Sequence, residues 1–220
     1  MLETVRNEPS HLNIYRRVRQ MVLTGDVAPG QPITIQGLVS LTEGGVTQVR
    51  EAIRRLVSEG ALQTHDNRRV SVPVLRLPQL DELCFARVAL EPDLARRAAL
   101  RIDETGIVQL EQIDDMLDDA MRQGSVHGYM LHNYRFHNAL YAHARTEILQ
   151  DMVEMLWLRT APALRVMCGR FGTSNLPDMH RAAIDALRRR DPDAVAEAIR
   201  SDILQGMENV RSVLTSGTDD

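Results

Sequence analysis

Val46-Thr47-Gln48-Val49-Arg50-Glu51-Ala52-Ile53-Arg54-Arg55-Leu56-Val57, closed by Ser58-Glu59-Gly60-Ala61-Leu62, is the stretch on which the reading of this chain turns. Val46, Val49, Ile53, Leu56 and Val57 recur at helical spacing and predict one buried stripe. Thr47, Gln48, Arg50, Glu51 and Arg54 fall on the opposite face. Gly60 ends the helix. Upstream, Glu43-Gly44-Gly45 reads as a turn, and a short helix is expected from Thr34 to about Leu41, with Gly37 as a weak point inside it. Before that, Gly25-Asp26-Val27-Ala28-Pro29-Gly30 stops a first helix that follows Ser10 and buries Ile14, Val18, Met21 and Val22. Downstream lie two short extended pieces, near Ala61–Thr64 and Val70–Val74, joined by the turn residues Asp66-Asn67.

Beyond Pro73 the pattern changes. Residues 75–80 contain Pro78 and read as a linker into a wholly helical body. Six helices are expected there: Leu80–Leu100, Glu104–Gln123, Val126–His143, Glu147–Cys168, Asp178–Arg190 and Asp193–Leu214. Pro92 and Pro162 should kink or interrupt the first and fourth. The expected division is a head of residues 1–74, a linker of residues 75–80 and a body of residues 81–220. The fold class is mainly α: a winged helix-turn-helix followed by an all-α antiparallel bundle.

Composition narrows the classes further. The 220 residues are 44% hydrophobic and 25% charged, ordinary globular usage. No apolar run approaches the roughly 18 residues of a membrane span. The first residues carry acids and no apolar core, unlike a secretory signal. Cys84 and Cys168 form no CxxC, which fits a reducing cytoplasm. All 26 basic residues are Arg, which carries no functional weight here. Residues 1–75 hold 9 Arg against 7 acids, whereas the whole chain has net charge −4. A slightly basic head on an acidic body suggests that the head alone meets a polyanion.

Three short helices and a ribbon make a winged helix-turn-helix pattern, in which the helix after the turn enters the major groove. Its outward residues suit that role. Arg50 and Arg54 can hold guanine or phosphate, Gln48 can pair with adenine, and Thr47 can reach a phosphate or a thymine methyl. Thr34 and Gln36, opening the second helix, join the candidate DNA-contacting set. Arg68 and Arg69 at the ribbon tip offer charge to a neighbouring phosphate or the minor groove.

The wording of the head resembles the GntR family of bacterial transcriptional regulators, whose signature reads V-R-E-A-L-R-R-L followed by E-G-L-[IV]. The match takes in Val49 to Leu56, Glu59 to Leu62, Ile14-Tyr15 and the Leu23-x-Gly25-x-Val27-x-Pro29-Gly30 turn. It implies an operator-binding winged helix. Departures fall at Val46 and Gln48, where the family has a basic residue and Pro, at Gln36-Gly37, and at Arg69, where a Gly is common. An operator sequence therefore does not carry over. Arg50 is retained.

The body resembles the FadR-type C-terminal ligand-binding domain of that family, FCD. The matching pieces are Leu83-x-x-x-Arg87-x-x-Leu90-Glu91, Asn133-x-x-Phe136-His137-x-x-Leu140, His180-Arg181-x-x-Ile184-x-Ala186-Leu187 and Arg190-Asp191-Pro192. The resemblance implies a helical bundle around a cavity that senses a small carboxylate-type metabolite, and in many members a divalent metal on one Asp and three His. Carried onto this chain, the ligand set becomes Asn133, His137, His180 and Asp202, suited to one Zn, Ni or Mn ion with water completing the shell. The alternative is a metal-free polar cavity in which these groups bond one another. Arg87 has two readings: an intrahelical salt bridge to Glu91, or a cavity cation that clamps a carboxylate. With Asn133, His137 and His180 it forms the expected effector-binding set. The other five histidines read as surface or capping residues.

The expected function is a ligand-responsive regulator, a repressor more than an activator, that binds a pseudo-palindromic operator as a homodimer in the cytoplasm. A metal-dependent hydrolase built on His137 and His180 is the competing class, but the chain has neither an H-E-x-x-H nor a G-x-S-x-G arrangement. An all-helical interaction protein is the third. No enzyme activity is expected.

Overall fold

The structure, a computed structural model, describes residues 10–65, 69–171 and 178–216. The Asp66-Asn67 turn and Arg68 lie outside the described residues. In the head, α1 (Ser10–Leu23) packs against α3 (Val46–Ser58), with α2 (Ile35–Thr42) laid across both. Thr34 caps α2, its Oγ1 accepting from the Gly37 N–H at 3.0 Å, so the helix begins where its cap predicts. Val49, Ala52, Ile53 and Leu56 form the buried stripe of α3. Val46, expected inward, is 44% exposed, because it occupies the first turn, ahead of the point where α3 meets the core.

The wing has three strands rather than two. β2 (Gln63–Thr64) and β3 (Val70–Ser71) pair antiparallel as expected, and β1 (Pro32–Ile33) joins the other edge of β3, giving the order β1-β3-β2. A two-residue strand beginning with Pro shows no alternation in sequence, and Pro is tolerated because β1 is an edge.

The body is a bundle of α4 (Leu77–Ala99), α5 (Glu104–Arg122), α6 (Val126–Ala142), α7 (Glu147–Phe171), α8 (Met179–Arg188) and α9 (Pro192–Ser216). The stretch 75–80, expected as a linker, is helical from Leu77. Pro78 falls in the first turn of α4, where its missing N–H costs nothing, and Gln79 Oε1 accepts from the Arg76 N–H at 3.1 Å. Neither Pro92 nor Pro162 interrupts its helix. Pro92 and Glu91 are buried, and α4 runs on through the proline, packed along α9, α7 and α6.

Head and body share one hydrophobic cluster, from Ile14 in α1 to Val213 in α9. Helix α7 meets the head at two glycines with positive φ. A side chain at Gly25 (φ +69°) would run into Arg165, and one at Gly60 (φ +76°) into the Arg159 guanidinium. Arg159 Nε donates to the Glu59 carbonyl at 3.1 Å, at the C-terminal end of α3. Arg19 of α1 bonds the Tyr134 hydroxyl at 3.3 Å and Glu154 at 2.7 Å. Among the described residues, no helix is long and apolar enough to cross a membrane.

Candidate functional site

Two separate regions gather the residues that the sequence singles out. On the head, Thr47, Arg50, Glu51 and Arg54 line the exposed face of α3. Arg50 has no partner among the described residues. Arg54 is paired with Glu51 at 2.7 Å, both well exposed. Gln36 and Arg69 are exposed as well. Two members of the set have local work. Gln48 Oε1 accepts from the Gly45 N–H at 2.8 Å, and Thr34 is the α2 cap. Both polar side chains therefore help to fix helix starts, which the sequence reading did not assign to them.

In the body, four helices bring His137 (α6), His180 (α8), Asp202 (α9) and Asp114 (α5) together. His137 Nε2 lies 3.3 Å from His180 Nε2 and 3.1 Å from Asp202 Oδ2. His180 Nε2 is 3.9 Å from Asp202 Oδ1. The outer faces of both rings are held. His180 Nδ1 meets Asp114 Oδ1 at 3.2 Å, and His137 Nδ1 meets the Tyr141 hydroxyl at 3.0 Å. That hydroxyl donates to Glu91 at 2.8 Å, so its oxygen is left to accept from His137 Nδ1–H. Asp114, a carboxylate, likewise accepts from His180 Nδ1–H. In neutral rings this leaves both Nε2 lone pairs pointing at one another and at a carboxylate. Three acceptors converge with no proton donor among them, an arrangement that a cation or an added proton relieves.

The electrostatics agree. Burial pushes the His137 imidazolium down despite Asp202. Burial opposes charge on His180 too, but the hydrogen bond to Asp114 and the charge of Asp202 prevail and raise it. Burial would raise Asp202, yet the two imidazoles and Arg87 draw it down to about 2. Phe136 stacks flat on His180, with centroids 3.9 Å apart, and fixes the ring plane.

Beside this cluster is an outer chamber of about 240 Å³, bounded in part by Tyr129, Asn133, His180, Asp202 and Gln205. A smaller inner chamber of about 40 Å³ shares Tyr129, Asn133, Asp202 and Gln205 and reaches Arg87 and Trp157. Asn133, 7% exposed, borders both chambers and has no hydrogen-bond partner among the described residues. Arg87 shows the intrahelical salt bridge of its first reading. Its Nε and Nη2 both hold Glu91, and its guanidinium lies over the Trp157 ring at 4.4 Å. The carboxylate it clamps is thus the protein's own.

Sequence reasoning missed Asp114, Tyr141 and Trp157. Asp114 interrupts the buried stripe Ile107, Leu110, Leu117 of α5, and an acid on an apolar stripe was the available signal. Tyr141 follows His137 at i+4 on the same face.

Residues 11–72 match the bacterial regulatory proteins of the gntR family, and residues 82–205 match the FCD domain. The chain belongs to the FCD-bearing GntR regulators. It is a transcriptional regulator, not an enzyme. It is 28% identical over 216 residues to the HTH-type transcriptional repressor RspR of Escherichia coli K12, covering 96% of this chain and 93% of that one. To the HTH-type transcriptional regulator McbR of the same strain it is 25% identical, covering 88% and 89%. In fold it matches E. coli McbR/YncC with a TM-score of 0.84 at 23% identity, over 96% of this chain and 99% of that one. A GntR regulator from Rhodococcus sp. RHA1 follows at 0.77 and 16% identity, over 92% and 97%.

Proposed function

We propose that this regulator is a homodimeric repressor whose grip on a pseudo-palindromic operator is set by a small carboxylate-bearing metabolite in the body cavity, next to a bound divalent ion. The single observation that carries the reading is the convergence of His137, His180 and Asp202, within 4.8 Å of one another, beside a chamber that Asn133 borders. Two neutral imidazoles with fixed tautomers and one carboxylate are a donor set that Zn, Ni or Mn accepts, and Asp114 and Tyr141 supply the outer hydrogen bonds that orient ligating histidines. Asn133 would add a weaker amide oxygen. A bound ion would offer an open coordination position to an oxygen of the effector. Arg87 supports the inner wall as a neutralised pair rather than as a free clamp.

On the head, Arg50, with Thr47, Arg54, Gln36 and Arg69 around it, forms the operator face; Gln48 and Thr34 serve it by holding the helix starts. Regulation then acts in the cytoplasm, where the chromosome is. The link between cavity and head runs through direct contacts as well as through the 75–80 join. Tyr134, next to Asn133 in sequence, packs edge-on against Trp157 and accepts from Arg19 of α1. An effector shifts operator affinity only by its difference in affinity for the two dimer states.

A gel shift with the DNA upstream of the gene, at stated salt, tests the operator. Metal analysis of protein purified without a His-tag should find Zn, Ni or Mn in the parent, more in Asn133→Asp and none in His137→Ala. Protein that stays metal-free after soaking in all three ions overturns the metal, and a parent that does not retard its own upstream DNA overturns the operator.

A further inference from the structure

We propose that the effector is a zwitterion: a small acid whose carboxylate faces the His137, His180 and Asp202 cluster and whose other end is a protonated amine, held at the chamber mouth by Asp118 and Asp178. The inference deepens the cavity reading above and rests on it.

The charge around the chambers carries the argument. Among the described residues bordering them, Arg87 is the one guanidinium, and Glu91 neutralises it. Three carboxylates, Asp118, Asp178 and Asp202, border the outer chamber. Asp118 has no hydrogen-bond or ion-pair partner among the described residues. Its neighbour Asp119 is the one that takes Arg122. Among the described residues, the Asp178 side chain is bonded by a backbone N–H alone, that of Arg181, at 2.8 Å. Burial, and then the nearby charges of Asp114 and Asp178, push the Asp118 carboxyl up. Arg122, which pulls the other way, is already paired with Asp119, so among the described residues the mouth carries an excess of negative charge.

Farther in, the amide of Asn133 is more than nine-tenths buried, borders both chambers and is unpartnered among the described residues. An amide so placed asks for a polar ligand. A divalent ion at the cluster would neutralise Asp202 and leave one positive charge to attract an acid, while Asp118 and Asp178 remain uncompensated. A dianion would place its second carboxylate against Asp118 and Asp178, both exposed at the mouth, and like charges brought together there repel. A simple fatty acid would leave both carboxylates bare. An amine at the far end satisfies them. The chamber, about 240 Å³, is smaller than the roughly 300–1,000 Å³ pockets that take drug-sized ligands, which favours a short amino acid over a peptide or nucleotide.

The experiment compares small ligands, all but one of four carbons, on the full-length, zinc-loaded protein by calorimetry. Butyrate, succinate and γ-aminobutyrate differ only in what they carry at the far end, putrescine replaces the acid by a second amine, and alanine brings amine and acid together. At least one of the two amino acids should bind about tenfold more tightly than succinate and butyrate, an advantage of a single charge pair. Asp118→Asn together with Asp178→Asn, the latter keeping a good helix cap, should erase that preference and leave butyrate unchanged. Tighter binding of succinate, equal binding of putrescine, a preference that survives the double variant, or no binding of either amino acid at millimolar concentration overturns the proposal. Operator affinity measured alongside keeps the two readings apart. An amino acid that binds through the aspartates but leaves operator affinity unchanged removes the regulatory coupling and keeps the ligand class. A tighter succinate that does shift operator affinity does the reverse.

Discussion

Arg50 on α3 and Arg87 on α4 carry the same guanidinium in opposite surroundings. Arg50 is exposed and has no partner among the described residues. Arg87 is 3% exposed, fork-bonded to Glu91, which is fully buried, and stacked over Trp157. An exposed guanidinium keeps its charge and donors for a partner from outside. A buried one must be satisfied before the protein folds, and so becomes part of the wall. The same division runs through the two regions. The proposed operator face is a set of exposed side chains centred on α3, tied to one another by no more than the exposed Glu51–Arg54 pair among the described residues. The cavity wall is a chain of dependencies in which Arg87, Trp157 and Tyr141 all bond Glu91, and Tyr141 in turn orients His137.

The largest expected effect follows from that chain. Glu91→Ala leaves a buried Arg87 without its counter-charge and should destabilise the protein by about 3–5 kcal/mol, read by urea denaturation. Arg50→Ala should leave the urea midpoint unchanged and weaken operator binding by about 1–3 kcal/mol. If instead Glu91→Ala were as stable as the parent, or Arg50→Ala lost stability, the contrast between the two arginines would collapse. Arg69→Ala sharpens it: a wing contact to phosphate should weaken all DNA alike and lower the salt slope by about one.

The same division explains how much the sequence disclosed. The head was legible because its signals are local. The stripe Val49, Ile53, Leu56 and the glycine stops each act within a few residues, and the exposed face of α3 follows from its period. The body helices were legible for the same reason, apart from ends such as Leu77, where a proline in the first turn looks like a break. His137 and His180 were found by resemblance to a family pattern. What gives them their geometry was not visible, because Asp114 is 66 residues from His180 and Glu91 is 50 from Tyr141. Arg87 could be read two ways for a related reason: spacing puts Glu91 within reach but does not say whether burial forces the pair.

The pH response of the cavity cluster should carry two opposite signs. In chelator-treated protein Asp202 titrates near about 2 when folded, below its ordinary 3.8. A depressed carboxylate contributes stability that is full above its unfolded value and is lost as pH falls through the folded one. About 2 kcal/mol should therefore disappear between about pH 4 and about pH 2, and Asp202→Asn should lack that loss. His180 has the opposite sign. Its raised value contributes stability below its ordinary 6.5, and that stability is lost as pH rises through the folded value. Urea midpoints across pH check both, and an Asp202→Asn protein with the parent's acid profile would break the assignment.

The smallest effect concerns the pair of Glu51 and Arg54 on the operator face. Their bond at 2.7 Å joins side chains that are 55% and 71% exposed, so solvent and salt screen it and its worth to folding is below about 0.5 kcal/mol. For DNA the pair matters in another way. Glu51 places a negative charge on the proposed operator face, and it engages Arg54. Glu51→Gln should leave the urea midpoint within error, tighten operator binding by a small factor, and steepen the salt dependence as Arg54 gains a phosphate. A head built like the cavity wall would answer differently, with lost stability and weaker binding together. Tighter DNA binding at constant stability is what an independent, outward-facing row of side chains requires, because removing one charge there changes only what the surface offers to its partner.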